Sequence, residues 1–126
     1  MKITSIDIWT VVVPSIPGRV NSLEWVPKVE WDERPKHMIR LNTDTEFYGI
    51  GETSRVISIE DTRDGARKVL GRDPEKMTLQ NIYEDRSDGN EASLDVGGGP
   101  AYHALEIAVF DLIGRMKEMP VHGLIG

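Results

Sequence analysis

The chain has 126 residues and a formal net charge of −6, a length that suits one domain with its own buried core. The acidic balance argues against a nucleic-acid or anionic-membrane surface, since both need clustered Lys and Arg. There is no cysteine, which excludes disulfides, thiolate catalysis and Cys-ligated zinc or iron–sulfur centres.

The first predicted element is a strand over residues 2–13. Ile6, Ile8 and Val12 fall on one face, Ser5, Asp7 and Trp9 on the other, and Val11-Val12-Val13 is β-branched. The alternation and the charge of Asp7 make this opening a strand rather than a signal peptide. No apolar stretch is long enough to span a bilayer, so a cytoplasmic protein is the default expectation. Pro14 and Pro17 end the strand. Residues 14–35 then lack periodicity and hold four of the seven prolines and two of the three tryptophans. Connections of that length in compact domains are functional lids or disordered segments, and the tryptophans argue against plain disorder. The reading is therefore a lid or binding loop, with Glu30-Trp31-Asp32-Glu33 as a solvated part of it rather than a metal site.

A second strand is predicted over 37–43, with Ile39 and Leu41 on one face and Met38, Arg40 and Asn42 on the other. Asp44-Thr45-Glu46 turns the chain into a third strand over 47–52, which makes the sheet an antiparallel meander. Gly49 and Gly51 lack the third glycine and the strand–turn–helix context of a dinucleotide fingerprint. In a strand they mark a bulge or a close backbone approach.

Ser58 with Asp61 reads as a capping-box start, and Gly71 as the matching helix end. Asp73-Pro74-Glu75 begins another helix, with Met77, Leu79, Ile82 and Tyr83 as its apolar face. Residues 85–100 read as a loop. Its Gly97-Gly98-Gly99-Pro100 lacks the spacing and the Lys-Ser/Thr of a P-loop, and is read as a flexible connection.

The last helix is predicted over 101–119. Ala104, Leu105, Ala108, Val109, Leu112 and Met116 form its apolar stripe, and Ile107, Phe110 and Ile113 widen it enough for burial on more than one side. The apolar residues after Pro120 read as an entry into further structure, so a following partner domain is expected.

Among the chemistry-bearing residues, His37, His103 and His122 show no ligand spacing and are read as surface or structural. Glu106 and Asp111 lie five residues apart, on different faces of the helix, and are expected to make structural hydrogen bonds at a domain interface. Arg19, Asn21, Trp25 and Arg55 are the candidate ligand contacts. The first three lie in the proline-rich connection and Arg55 just past the third strand. Cationic and aromatic side chains of this kind suit carboxylates and hydroxyls.

Taken together, these segments resemble a known domain. Met1-Lys2-Ile3-Thr4-Ser5-Ile6-Asp7 opens like the N-terminal domain of the enolase superfamily, in its mandelate racemase and muconate-lactonising branch. Leu41-Asn42-Thr43-Asp44 through Tyr48-Gly49-Ile50-Gly51-Glu52 is similar to that domain's T-D-x-G-x-x-G-x-G-E segment, with a departure at Glu46 or its neighbour, where a turn glycine is usual. Ala104-Leu105-Glu106-Ile107-Ala108-Val109-Phe110-Asp111-Leu112-Ile113-Gly114-Arg115 resembles A-I-E-M-A-L-W-D-L-K-G-K. Pro120-Val121-His122-Gly123-Leu124-Ile125-Gly126 resembles the P-V-x-x-L-L-G that follows it. The likeness runs in order through essentially the whole chain; its closing motif is the most specific and its opening the least.

The resemblance implies an α+β capping domain over residues 1–126: a three-stranded antiparallel meander sheet followed by a helical bundle. Residues 120–126 would begin the connection to a (β/α)-barrel, which takes about 250 residues and is absent from this chain. In the family the barrel carries the Lys or His base and the acidic Mg²⁺ ligands, so no catalytic or metal-binding residue carries over to these positions. The implied reaction removes a proton α to a carboxylate. Dehydration of an acid sugar is preferred, with a racemase or cycloisomerase as the alternative, in a homo-oligomer with no nucleic-acid or membrane partner. The family sets the loops after the first and third strands over the substrate, here about 14–35 and 53–59, which again points to Arg19, Asn21, Trp25 and Arg55. The rival from another class is a stand-alone, non-catalytic interaction domain.

Overall fold

The computed structural model describes residues 1–14, 35–77 and 95–125. Three strands, β1 (Ile3–Val12), β2 (Pro35–Thr43) and β3 (Tyr48–Glu52), pair antiparallel in the order β1-β2-β3, the meander that the alternating sequence predicts. Ile8 faces Ile39, Asp7 faces Arg40, and Arg40 in turn faces Ile50. Alternation sends Ile39 and Leu41 into the core and turns Asp7, Trp9, Arg40 and Tyr48 to the opposite face. The β1–β2 register slips between Ile3 and Ser5. That bulge lets Ile3 and Ile6, an odd number of residues apart, both pack on the core.

Helix α1 (Ile59–Val69) starts as expected: Ser58 Oγ accepts from the Asp61 amide at 3.0 Å. Gly71 follows its C-cap at φ +80, and the Gly71 amide donates to Ile3 O at 2.8 Å while the Ile3 amide donates to Arg72 O at 3.0 Å. The end of α1 is thereby tied to the start of β1. Asp73 caps the next turn as predicted, but that turn is a short 3-10 helix, Pro74–Lys76, followed by buried Met77. Leu79, Ile82 and Tyr83 lie outside the described residues, as does 85–94 of the expected loop. Gly97, Gly98 and Gly99 all adopt positive φ.

The long helix α2 spans Tyr102–Met116, shorter than the expected 101–119. It ends in a Schellman arrangement: the Glu118 amide donates to Arg115 O at 3.3 Å, and the Met119 amide to Gly114 O at 2.9 Å. Glu118 occupies the left-handed position at φ 51. Val121–Ile125 forms a short helix, α3. Leu105, Ala108, Val109, Leu112 and Ile113 are buried as the stripe predicts, but Ile107 is 49% exposed, so that flank of α2 is uncovered among the described residues.

The helix–sheet contact is unusually close. A Cβ built on Gly49 would stand 1.9 Å from Ala108 O, and one on Gly51 would stand 2.0 Å from Ala104 O. The two strand glycines thus admit the backbone of α2 directly onto β3, the close approach their sequence context predicts. The result is an α+β domain with helices layered on one face of the sheet.

Candidate functional site

β1 runs towards Val12 and β3 towards Glu52, and the register brings both ends to the start of β2: Val12 pairs with Pro35, and Met38 with Glu52. The connection after β1 and the loop after β3 therefore emerge from the same end of the sheet. Arg55 belongs to this end, half-buried in the turn closed by the Ile57 amide donating to Ser54 O at 3.3 Å. Arg19, Asn21 and Trp25 lie outside the described residues. Of the four candidate contacts, the structure therefore describes Arg55 alone.

Beneath this end is a buried polar group that the sequence reading did not single out. His37 is 5% exposed and Thr53 is 2% exposed. The His37 amide donates to Thr53 Oγ1 at 2.9 Å, and the Thr53 amide donates back to His37 O at 2.9 Å. His37 Nδ1 lies 3.0 Å from Thr10 Oγ1, which brings in β1. A signal was available: His37, Ile39 and Leu41 share one parity along β2, so His37 had to face the core. A hydroxyl beside an imidazole could resemble a nucleophile and its base. However, among the described residues no carboxylate is hydrogen-bonded to the ring to orient it. Here the contact joins strands, and His37 is structural while His103 and His122 are exposed. At the surface of the same end, Lys36 and Glu52 pair at 3.3 Å.

A second polar cluster wraps the free edge of β3. Asp111 Oδ2 accepts from the Ile50 amide at 2.9 Å and from Arg115 Nε at 3.0 Å. The bond to Asp111 holds the Arg115 guanidinium above its ordinary pKa. Arg115 lies 4.5 Å and Arg40 4.1 Å from the centre of the Tyr48 ring. Asp111 thus makes the structural hydrogen bond that was expected of it, but to β3 of its own domain. An open cleft of about 320 Å³ lies nearby, lined by Asp111, Gly114, Arg115, Glu118, Met119, Pro120 and Val121. It is at the C-terminal end of α2, away from the loop end. Because α2 runs antiparallel to β3, Ala104 meets Gly51 and Ala108 meets Gly49.

Among the described residues no group of three or more His, Asp or Glu side chains could hold a metal ion. The described residues do not fit a Mg²⁺ centre. No helix among them is long and apolar enough to cross a membrane. No family model, curated protein or solved structure matches the chain.

Proposed function

We propose that this chain is the capping and substrate-specificity domain of a Mg²⁺-dependent enzyme of the enolase superfamily, in its mandelate racemase and muconate-lactonising branch. The substrate is an acid sugar that loses a proton α to its carboxylate, and dehydration is the preferred outcome. The base and the metal belong to a barrel domain that partners this one in a homo-oligomer. The present residues bind and orient the substrate and exclude water from it, which strengthens electrostatic interactions at the reacting atoms.

One observation carries the reading. The two segments most similar to the family's motifs are Tyr48-Gly49-Ile50-Gly51-Glu52 and the α2 sequence from Ala104. They pack on each other, glycine against alanine backbone, and Asp111 of the second segment bonds the Ile50 amide of the first. A chance likeness in two separate segments gives no reason for them to fit together. The emergence of both proposed lid loops from one end of the sheet is the further support.

The test is a screen of the full-length protein against an acid-sugar library, with and without Mg²⁺. Mg²⁺-dependent consumption of at least one acid sugar is expected, and none from the purified 126-residue chain. If the full-length protein consumes none, or the isolated chain turns one over, the proposal fails.

A further inference from the structure

Residues 53–58 link β3 to α1: at the helix end Ser58 caps α1, and at the sheet end the chain is held at Thr53. That residue extends the β2–β3 ladder by one step past the last paired residue of β3. Its amide donates to His37 O, and its hydroxyl replaces the missing main-chain acceptor for the His37 amide, both at 2.9 Å. Thr53 is 2% exposed and His37 5% exposed, so water competes little for either bond. The ring of His37 then reaches across to Thr10 on β1 at 3.0 Å. Three hydrogen bonds thus join all three strands at the end where the loops emerge.

We infer that Thr10, His37 and Thr53 form a hydrogen-bonded bridge, buried at His37 and Thr53, that fixes where the 53–58 turn leaves the sheet, and hence where Arg55 stands. Thr53 and His37 are then positioning residues: they touch no ligand and set selectivity through Arg55. The selectivity half rests on the capping-domain reading above, and the bridge itself does not.

Residue-resolved amide exchange on this chain tests the bridge. Loss of a buried hydrogen-bond acceptor is worth about a tenfold change in local opening. Thr53→Val should therefore speed exchange of the His37 amide by about tenfold, and Thr53→Ser, which restores the hydroxyl, should return it to the wild-type rate. Thr10→Val should disturb the amides of residues 53–58 although it lies two strands away. A wild-type His37 amide that exchanges as fast as an exposed loop amide overturns the bridge even if the variants fail to fold. Failure of the serine to rescue does so too, as does a silent Thr10→Val.

Selectivity is read in the full-length protein by a double-mutant cycle on the ratio of kcat/KM between two acid sugars. Thr53→Val should change that ratio in the wild type and add nothing in an Arg55→Ala background. Additive effects overturn the positioning role. Absence of any acid-sugar turnover removes the capping-domain reading, and selectivity with it, while the exchange result still decides the bridge.

Discussion

At Gly49 and Gly51 a single methyl group separates a close helix–strand contact from a broken one. An added Cβ would meet backbone oxygen of α2 at 1.9 and 2.0 Å, and backbone in the middle of a helix cannot step aside as a side chain can. Gly49→Ala and Gly51→Ala should each destabilise the fold by about 3 kcal/mol or more, at or above the upper end of ordinary overpacking, measured by urea unfolding. The opposite sign is expected at Glu118, whose φ of 51 closes α2 in a conformation that suits glycine. Glu118→Gly should stabilise by roughly 0.5–1 kcal/mol, the left-handed strain relieved less the extra freedom of the unfolded chain. The glycines of β3 were legible because two of them in a strand have few other uses. Glu118 was not, since nothing about a glutamate announces a left-handed turn.

At the scale of elements, β3 is a short edge strand held by three means: its ladder to β2, the glycine contact with α2, and the Asp111 carboxylate on the Ile50 amide. Asp111→Ala removes the acceptor and leaves a part-buried donor and the Arg115 cation without it. A loss of about 1–3 kcal/mol is expected, whereas Asp111→Asn, which keeps an oxygen for the Ile50 amide, should lose less; thermal unfolding of the two variants separates them.

The strands were legible from period-two alternation, and α1 from Ser58 and Gly71, because these signals are local. What the sequence could not show is set by tertiary contact. The β-bulge near Thr4 puts Ile3 on the core side against simple alternation. The end of α2 depends on a turn whose key residue is Glu118, and the partner of Asp111 is 61 residues away. His37 falls between these cases: its parity with Ile39 and Leu41 marks it as buried, but its bonds to Thr10 and Thr53 arise only when the strands assemble.

For the whole molecule, the chain leaves the sheet at the same end after β1 and after β3, and α2 is layered on one face of the sheet. The antiparallel meander and the helices after it were legible from the order of elements. The candidate ligand contacts did not become a set, because Arg19, Asn21 and Trp25 lie outside the described residues and Arg55 is the one of the four within them. On the capping-domain reading these residues supply selectivity and the chemistry lies elsewhere. The most direct measurement is the ratio of kcat/KM for two acid sugars in the full-length protein and its Arg55→Ala variant, with Mg²⁺ activation measured alongside. A change of about tenfold or more in the ratio is expected, as for loss of one charge-assisted hydrogen bond, with the Mg²⁺ requirement unaltered. An unchanged ratio would contradict the capping-domain reading, as would a variant whose Mg²⁺ response shifts while its selectivity does not.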